Sequence, residues 1–157
     1  YDSYDDLKKA RDELSAKMSD ARNTAKSTDA DLKLLNEKIH YLGQYLSTKA
    51  AYKAFLQAGN KKMYRSAHQD EIARYEEAVQ FLKRNSTDGT IPTMKNLRAE
   101  KEKLLSAQTA QYKSYTYFKD YYHELQTACR NVDMILETEH TQQHSRTQPK
   151  RSYEQSI

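Results

Sequence analysis

The sequence predicts an all-α protein, built as a long antiparallel coiled-coil hairpin with a small helical cluster at its tip. Two features of composition and one of patterning predict it. Charged residues make up 31% of the 157-residue chain and hydrophobic ones only 37%. Three Gly and two Pro are few turn residues for a compact domain of that length. Such a make-up suits long helices that bury a narrow stripe, with disorder as its rival. Two apolar stripes decide for helices, because both advance only by steps of three and four residues.

The first stripe runs Leu7, Arg11, Leu14, Met18, Ala21, Ala25, Thr28, Leu32, Leu35, Ile39, Leu42 and Leu46. Ser3 with Asp6 three residues on forms a capping box at its start, and a first stalk helix is expected over 1–46. Arg11 and Thr28 are weak seam residues, and the seam is thin at Ala21–Ala25. The second stripe runs Leu97, Lys101, Leu104, Gln108, Gln111, Tyr115, Phe118, Tyr122, Leu125, Cys129, Val132 and Leu136. Pro92 and Thr93 supply its start signal, and a second stalk helix is expected over 94–139. The stripes 7–46 and 97–136 match in length, which an intramolecular antiparallel hairpin requires and a parallel homodimer does not. In that pairing the polar middle of the second stripe faces Ala21–Thr28, with long stems lying along the alanines.

Between the stripes, 47–93 reads as a basic helical tip. Ala51, Tyr52, Phe55 and Leu56 continue helical until Gly59-Asn60 breaks the run. Ser66 with Gln69 is a capping box for a new helix whose stripe is His68, Ile72, Tyr75, Val79 and Leu82. Asn85 to Thr93, with Asp88-Gly89 and Pro92, is the longest loop. After Glu139 the pattern stops, and 140–157 is expected to be a flexible polar tail.

The formal net charge of +4 divides into −1 over 1–46, +5 over 47–98 and 0 over 99–157. A charge of that size permits contact with nucleic acid or an acidic partner without demanding it. The candidates for contact with a phosphate backbone or a partner are Lys49, Lys53, Lys61, Lys62, Tyr64, Arg65, Lys83, Arg84, Lys95 and Arg98, with Tyr52 among them. Charge reversal at Lys61, Lys62 and Arg65 is the change expected to weaken such binding.

Nothing in the residue inventory assembles an active site, so this chain is read as non-catalytic and free of cofactor or metal. The five His are His40, His68, His123, His140 and His144. Only His140 and His144 share a helix face, and two His without a nearby Cys make a poor metal site. Among the thirteen Tyr, Tyr115 and Tyr122 lie on the seam, while Tyr117 and Tyr121 lie off it and suit partner packing. The single Cys129 excludes an internal disulfide and fits a reducing cytosol. No apolar run approaches ~18 residues and no secretory signal opens the chain, so neither a membrane span nor export is expected. The start at Tyr1 rather than Met is read as a cut or processed N-terminus.

A further set of residues carries a family likeness. These are Ile39-His40 with Tyr45, Ala51-Tyr52, Ala58-Gly59 and the run Lys61-Lys62-Met63-Tyr64-Arg65. His68 with Ile72, Ile91-Pro92-Thr93 with Lys95, Leu97-Arg98-Ala99-Glu100 and Asn131-Val132-Asp133 complete it. In order and spacing, from Asn36 to Leu136, they resemble the C-terminal helical region of bacterial relaxase/mobilisation nucleases of the MobA/MobL type. Relaxases of this kind nick the transferred strand at an origin of transfer through a tyrosine, beside a metal held by histidines. The resemblance implies that this machinery, with its divalent metal, lies in a separate N-terminal nuclease domain, since no His-x-His pair occurs here. It implies a cytoplasmic accessory domain touching origin DNA, the relaxosome or the coupling protein. A plain coiled-coil oligomerisation module without DNA contact is the alternative.

Overall fold

The computed structural model describes the backbone of residues 3–155 and the side chains of residues 3–142. Four helices follow one another: α1 (Tyr4–Gln57), α2 (Lys61–Ala67), α3 (Gln69–Arg84) and α4 (Met94–Gln155). The fold is all-α, with no strand among the described residues.

Local chemistry accounts for most of the helix ends. The Asp6 amide donates to Ser3 Oγ at 3.1 Å, satisfying one of the free donors that open α1. The first helix runs on past residue 46 to Gln57, and the break falls at Gly59-Asn60 as expected. Asn60 then caps α2, its side chain accepting from the Met63 amide at 3.0 Å. The expected cap at Ser66 is not used. Instead the His68 amide donates to the Tyr64 carbonyl at 2.9 Å and the Ile72 amide to the His68 carbonyl at 3.0 Å. Backbone bonds thus carry the chain from α2 into α3 without a side-chain cap. Asp70 and Glu71 in the first turn of α3 and Lys83 and Arg84 in its last turn match the helix dipole.

The loop after α3 is tied locally. Asn85 Nδ2 donates to the Phe81 carbonyl at 2.9 Å, and Gly89 takes the left-handed conformation at φ 71° that a side chain would oppose. Thr93 Oγ1 accepts from the Asn96 amide at 3.2 Å and opens α4 as expected. At the other end the sequence pattern fades at 139, yet the α4 backbone remains helical to Gln155. The side chains of the expected tail from 143 onward, His144 included, lie outside the described residues.

The helices contribute to two compact units, Tyr1–Thr24 with Gln111–Ile157 and Ala25–Ala110. In the first unit the α1 and α4 segments run antiparallel. The Tyr4 hydroxyl donates to Asp133, and Arg22 Nη2 donates to the Tyr115 hydroxyl at 3.1 Å. Eighteen residues forward on α1, from 4 to 22, are thus matched by eighteen back on α4, from 133 to 115. Its buried core among the described residues is small: Leu14, Leu125 and Cys129. Leu7, Met18, Phe118, Tyr122 and Val132 are half-buried around it. Leu136, the expected end of the second stripe, is exposed together with Met134 and Ile135. They lie beyond the Tyr4–Asp133 pair, past the first residue of α1.

The second unit has the larger core. Here α3 folds back along α1: Gln44 Nε2 donates to the Arg74 carbonyl at 2.8 Å, and the Tyr41 and Phe81 rings stack at 4.2 Å. Leu35, Leu42, Leu82 and Leu97 form one buried cluster joining α1, α3 and α4. Ile72 and Ala78 of α3 are fully buried, the latter outside the expected stripe. The buried Thr48 hydroxyl is satisfied by the Gln44 carbonyl at 2.7 Å.

The register of α4 on α1 in this unit differs from the expected one. Gln108 Nε2 donates to Asp29 Oδ1 at 2.8 Å. Fourteen residues forward on α1 and fourteen back on α4, that pairing sets Met94, the first residue of α4, opposite residue 43. Equal stripes set Leu46 against Leu97, whereas Leu97 falls opposite residue 40. Leu42 is therefore covered and 2% exposed, and Leu46 is 52% exposed.

Candidate interaction surface of the basic region

The ten candidate residues all belong to the second unit, and the fold divides them into two groups. Lys49 and Lys53 stand on the last turns of α1, and Lys61, Lys62, Tyr64 and Arg65 on α2. Lys83 and Arg84 end α3, and Lys95 and Arg98 open α4, so these four bracket the 85–93 loop. Arg65 lies over Phe55 and Arg84 over Phe81, which stacks on Tyr41. From Tyr41 to Phe55 is fourteen residues of helix, about 20 Å. The fold-back of α3 causes this separation. What reads as one basic tip is two basic surfaces.

Within the first group, the polar surface is partly committed to the protein itself. Arg65 Nη2 meets Glu76 Oε1 at 2.6 Å, and its guanidinium lies 5.0 Å from the centre of the Phe55 ring. Tyr64 stacks on His68 at 4.2 Å and tilts toward Phe55. The row continues through Tyr52, which stacks on Tyr75 at 4.0 Å, to Tyr45, whose ring lies 5.8 Å from Lys49 Nζ. Burial, and then the neighbouring Tyr45 and Tyr52, hold the Tyr75 hydroxyl above the ordinary phenol range. These rings are half-buried and spend their faces on one another, so they bind α3 to α1 rather than offer stacking platforms. Lys49, Lys53, Lys61 and Lys62 stay exposed with no carboxylate partner among the described residues.

The second group is simpler. Lys83, Arg84, Lys95 and Arg98 are all exposed, and none forms an ion pair among the described residues. The loop between them is polar and small. Asp88 Oδ1 accepts from Ser86 Oγ at 2.7 Å, from Thr90 Oγ1 at 2.7 Å and from the Thr90 amide at 3.1 Å. The Thr90 and Ser86 hydroxyls, in that order, hold the Asp88 carboxyl down at about 2. A carboxyl depressed in the folded state supports this loop above its unfolded pKa and loses that support as pH falls through about 2. A carboxylate titration followed by NMR is expected to give Asp88 a midpoint near 2. Thr90→Val should move that midpoint back toward the ordinary aspartate range; an unmoved midpoint would show that the hydroxyl is not the cause.

Compared with protein-family models, with curated proteins and with solved structures, the chain matches none. The interaction surface therefore stands on its own chemistry. Among the described residues no three His, Cys, Asp or Glu side chains gather to hold a metal. No helix among them is long and apolar enough to cross a membrane.

An open groove beside Arg84 mixes Asp29 and Glu37 with Lys33 and Lys101, so it does not select a ligand of one charge. Leu46, expected in the seam, is exposed, and so are Leu56 and Met63, which share with it the end of the unit that carries the first basic group. A signal for that end was present. No Asp or Glu occurs between Glu37 and Asp70, while Lys38, Lys49, Lys53, Lys61, Lys62 and Arg65 do.

Proposed function

We propose that the chain is a non-catalytic accessory domain of a bacterial, cytoplasmic DNA-mobilising relaxase, contributing contacts to DNA and to proteins of the transfer complex. The long antiparallel coiled-coil hairpin over the whole chain is part of this reading, with the nuclease chemistry and its metal in a separate domain. The likeness over Asn36–Leu136 supports the parentage. The observation that carries the DNA contact is the second basic group: four exposed cations, without carboxylate partners among the described residues, bracketing a loop whose one carboxylate, Asp88, is bonded to Ser86 and Thr90. Lys and Arg bind phosphates through charge without reading sequence.

The test is an anisotropy titration of the chain with origin-of-transfer DNA at several salt concentrations. Charge reversal at Lys83, Arg84, Lys95 and Arg98 together is expected to abolish measurable binding. Single reversals should each reduce the salt slope by up to about 1. Charge reversal at Lys61 and Lys62 is the control for the other group. Unchanged affinity and slope in the fourfold variant would remove the DNA contact from this surface.

A second reading, a coiled-coil oligomerisation module, is favoured by the exposed Met134, Ile135 and Leu136 on α4. Light scattering separates the two, since oligomerisation through that face makes the mass depend on concentration.

A further inference from the structure

The seam of α1 does not end where α4 begins. Leu35, Ile39, Leu42, Leu46, Lys49, Lys53 and Leu56 continue a single stripe in alternating steps of four and three. α4 covers that stripe as far as Leu42, and Met94 opens α4 opposite residue 43. Past that point the same stripe is open: Leu46 is 52% and Leu56 53% exposed, with Lys49 and Lys53 between them. The neighbouring face of α1 is already taken, since Tyr45 and Tyr52 pack on Tyr75 of α3 and Phe55 faces Tyr64 of α2. A helix-sized seat therefore continues the line of α4 along the last three turns of α1. Met63, 69% exposed, stands at the same end with Lys61 and Lys62, which have no carboxylate partner among the described residues.

We propose that this seat docks an acidic amphipathic helix of a protein partner, with apolar residues on Leu46 and Leu56 and carboxylates on Lys49, Lys53, Lys61 and Lys62. Continuity with the α1–α4 interface sets the mode, a helix laid into a seam. The absence of any acidic residue from 38 to 69 sets the sign of the partner's charge. A phosphate backbone would leave Leu46, Leu56 and Met63 against sugar and water, so DNA is not the occupant. A lipid surface calls for a continuous apolar face, and here lysines interrupt the leucines. The inference deepens the contact with a transfer-complex protein proposed above, and its biological setting rests on that reading.

The test titrates the full chain with a synthetic helical peptide carrying Leu and Ile at seam positions and Glu at the flanking ones. Such a peptide repels itself, so it meets the chain as a monomer. Peptide anisotropy and amide NMR of the chain are the readouts, with origin DNA and anionic phosphatidylserine vesicles as parallel arms. Binding is expected to shift the amides of residues 46–63 and to weaken about tenfold or more in Lys49→Glu/Lys53→Glu and in Leu46→Ser/Leu56→Ser. All four side chains are exposed, so these variants should keep the helical circular dichroism of the parent. The same peptide with Lys in place of Glu should not bind, and the variants should keep the parent's affinity for DNA.

Absent peptide binding, shifts elsewhere, or indifference to Leu46→Ser/Leu56→Ser would overturn the proposal. So would vesicle binding, or DNA binding, lost in the same variants. The proposed DNA contact fails separately, through the Lys83, Arg84, Lys95 and Arg98 reversals, which leave this seat intact.

Discussion

Leu42→Ala is expected to lower the stability of the second unit by about 2–5 kcal/mol, the range for opening a cavity at a buried leucine. Leu46→Ala, one turn further along the same stripe, should change it by less than about 0.5 kcal/mol. The two leucines are indistinguishable by sequence pattern. They differ because α4 starts opposite residue 43, which leaves Leu42 inside the cluster of Leu35, Leu82 and Leu97 and Leu46 half in water. Urea unfolding followed by circular dichroism decides the matter. Equal destabilisation by the two substitutions would mean that Leu46 is covered and that the register derived from Asp29–Gln108 is wrong.

The second large effect is expected along α1 itself. Amides from Leu32 to Thr48 should exchange about 100-fold more slowly than those from Leu7 to Ala21, a difference of about 2.7 kcal/mol in opening free energy. The helix is continuous across both stretches, so helix propensity alone gives no such step. Tertiary burial does. The first stretch sits against Leu82, Leu97 and the rings of α3, and it holds four buried side chains of its own in Leu32, Leu35, Leu42 and Thr48. The second holds Leu14 alone, in a unit whose other buried side chains among the described residues are Leu125 and Cys129. Hydrogen–deuterium exchange read by residue would show a uniform profile along α1 if burial did not govern opening.

Much of the fold was legible because helices announce themselves locally. The seam from Leu7 to Leu42 is buried or half-buried throughout, and the caps at Ser3 and Thr93 work as read. Register was not legible, for a physical reason. A stripe that repeats every seven residues presents nearly the same face after a slip of one repeat, so equal lengths cannot select a pairing. The observed pairing is displaced by six residues from the expected one, and Leu46 and Leu136 are the residues it strands.

The basic residues were found as a list but not as surfaces. Their division depends on α3 lying antiparallel on α1, and the removal of Arg65 by Glu76 joins two helices. The exposed leucines were missed because an unpartnered seam and a partnered one have the same sequence. Ser66 misled because α3 is capped at His68, two residues later, where backbone bonds to the Tyr64 and His68 carbonyls carry the chain across without a side-chain cap.

The buried position of Cys129 has a practical consequence. It is the only thiol in the chain, and its side chain is 1% exposed in the core of the first unit. A thiol-reactive reagent can reach it only while α4 stands away from α1 at that level. The labelling rate of the unmodified protein is thus a clock for the breathing of that unit, with no mutation or isotope required, and a second unit carrying no cysteine stays silent.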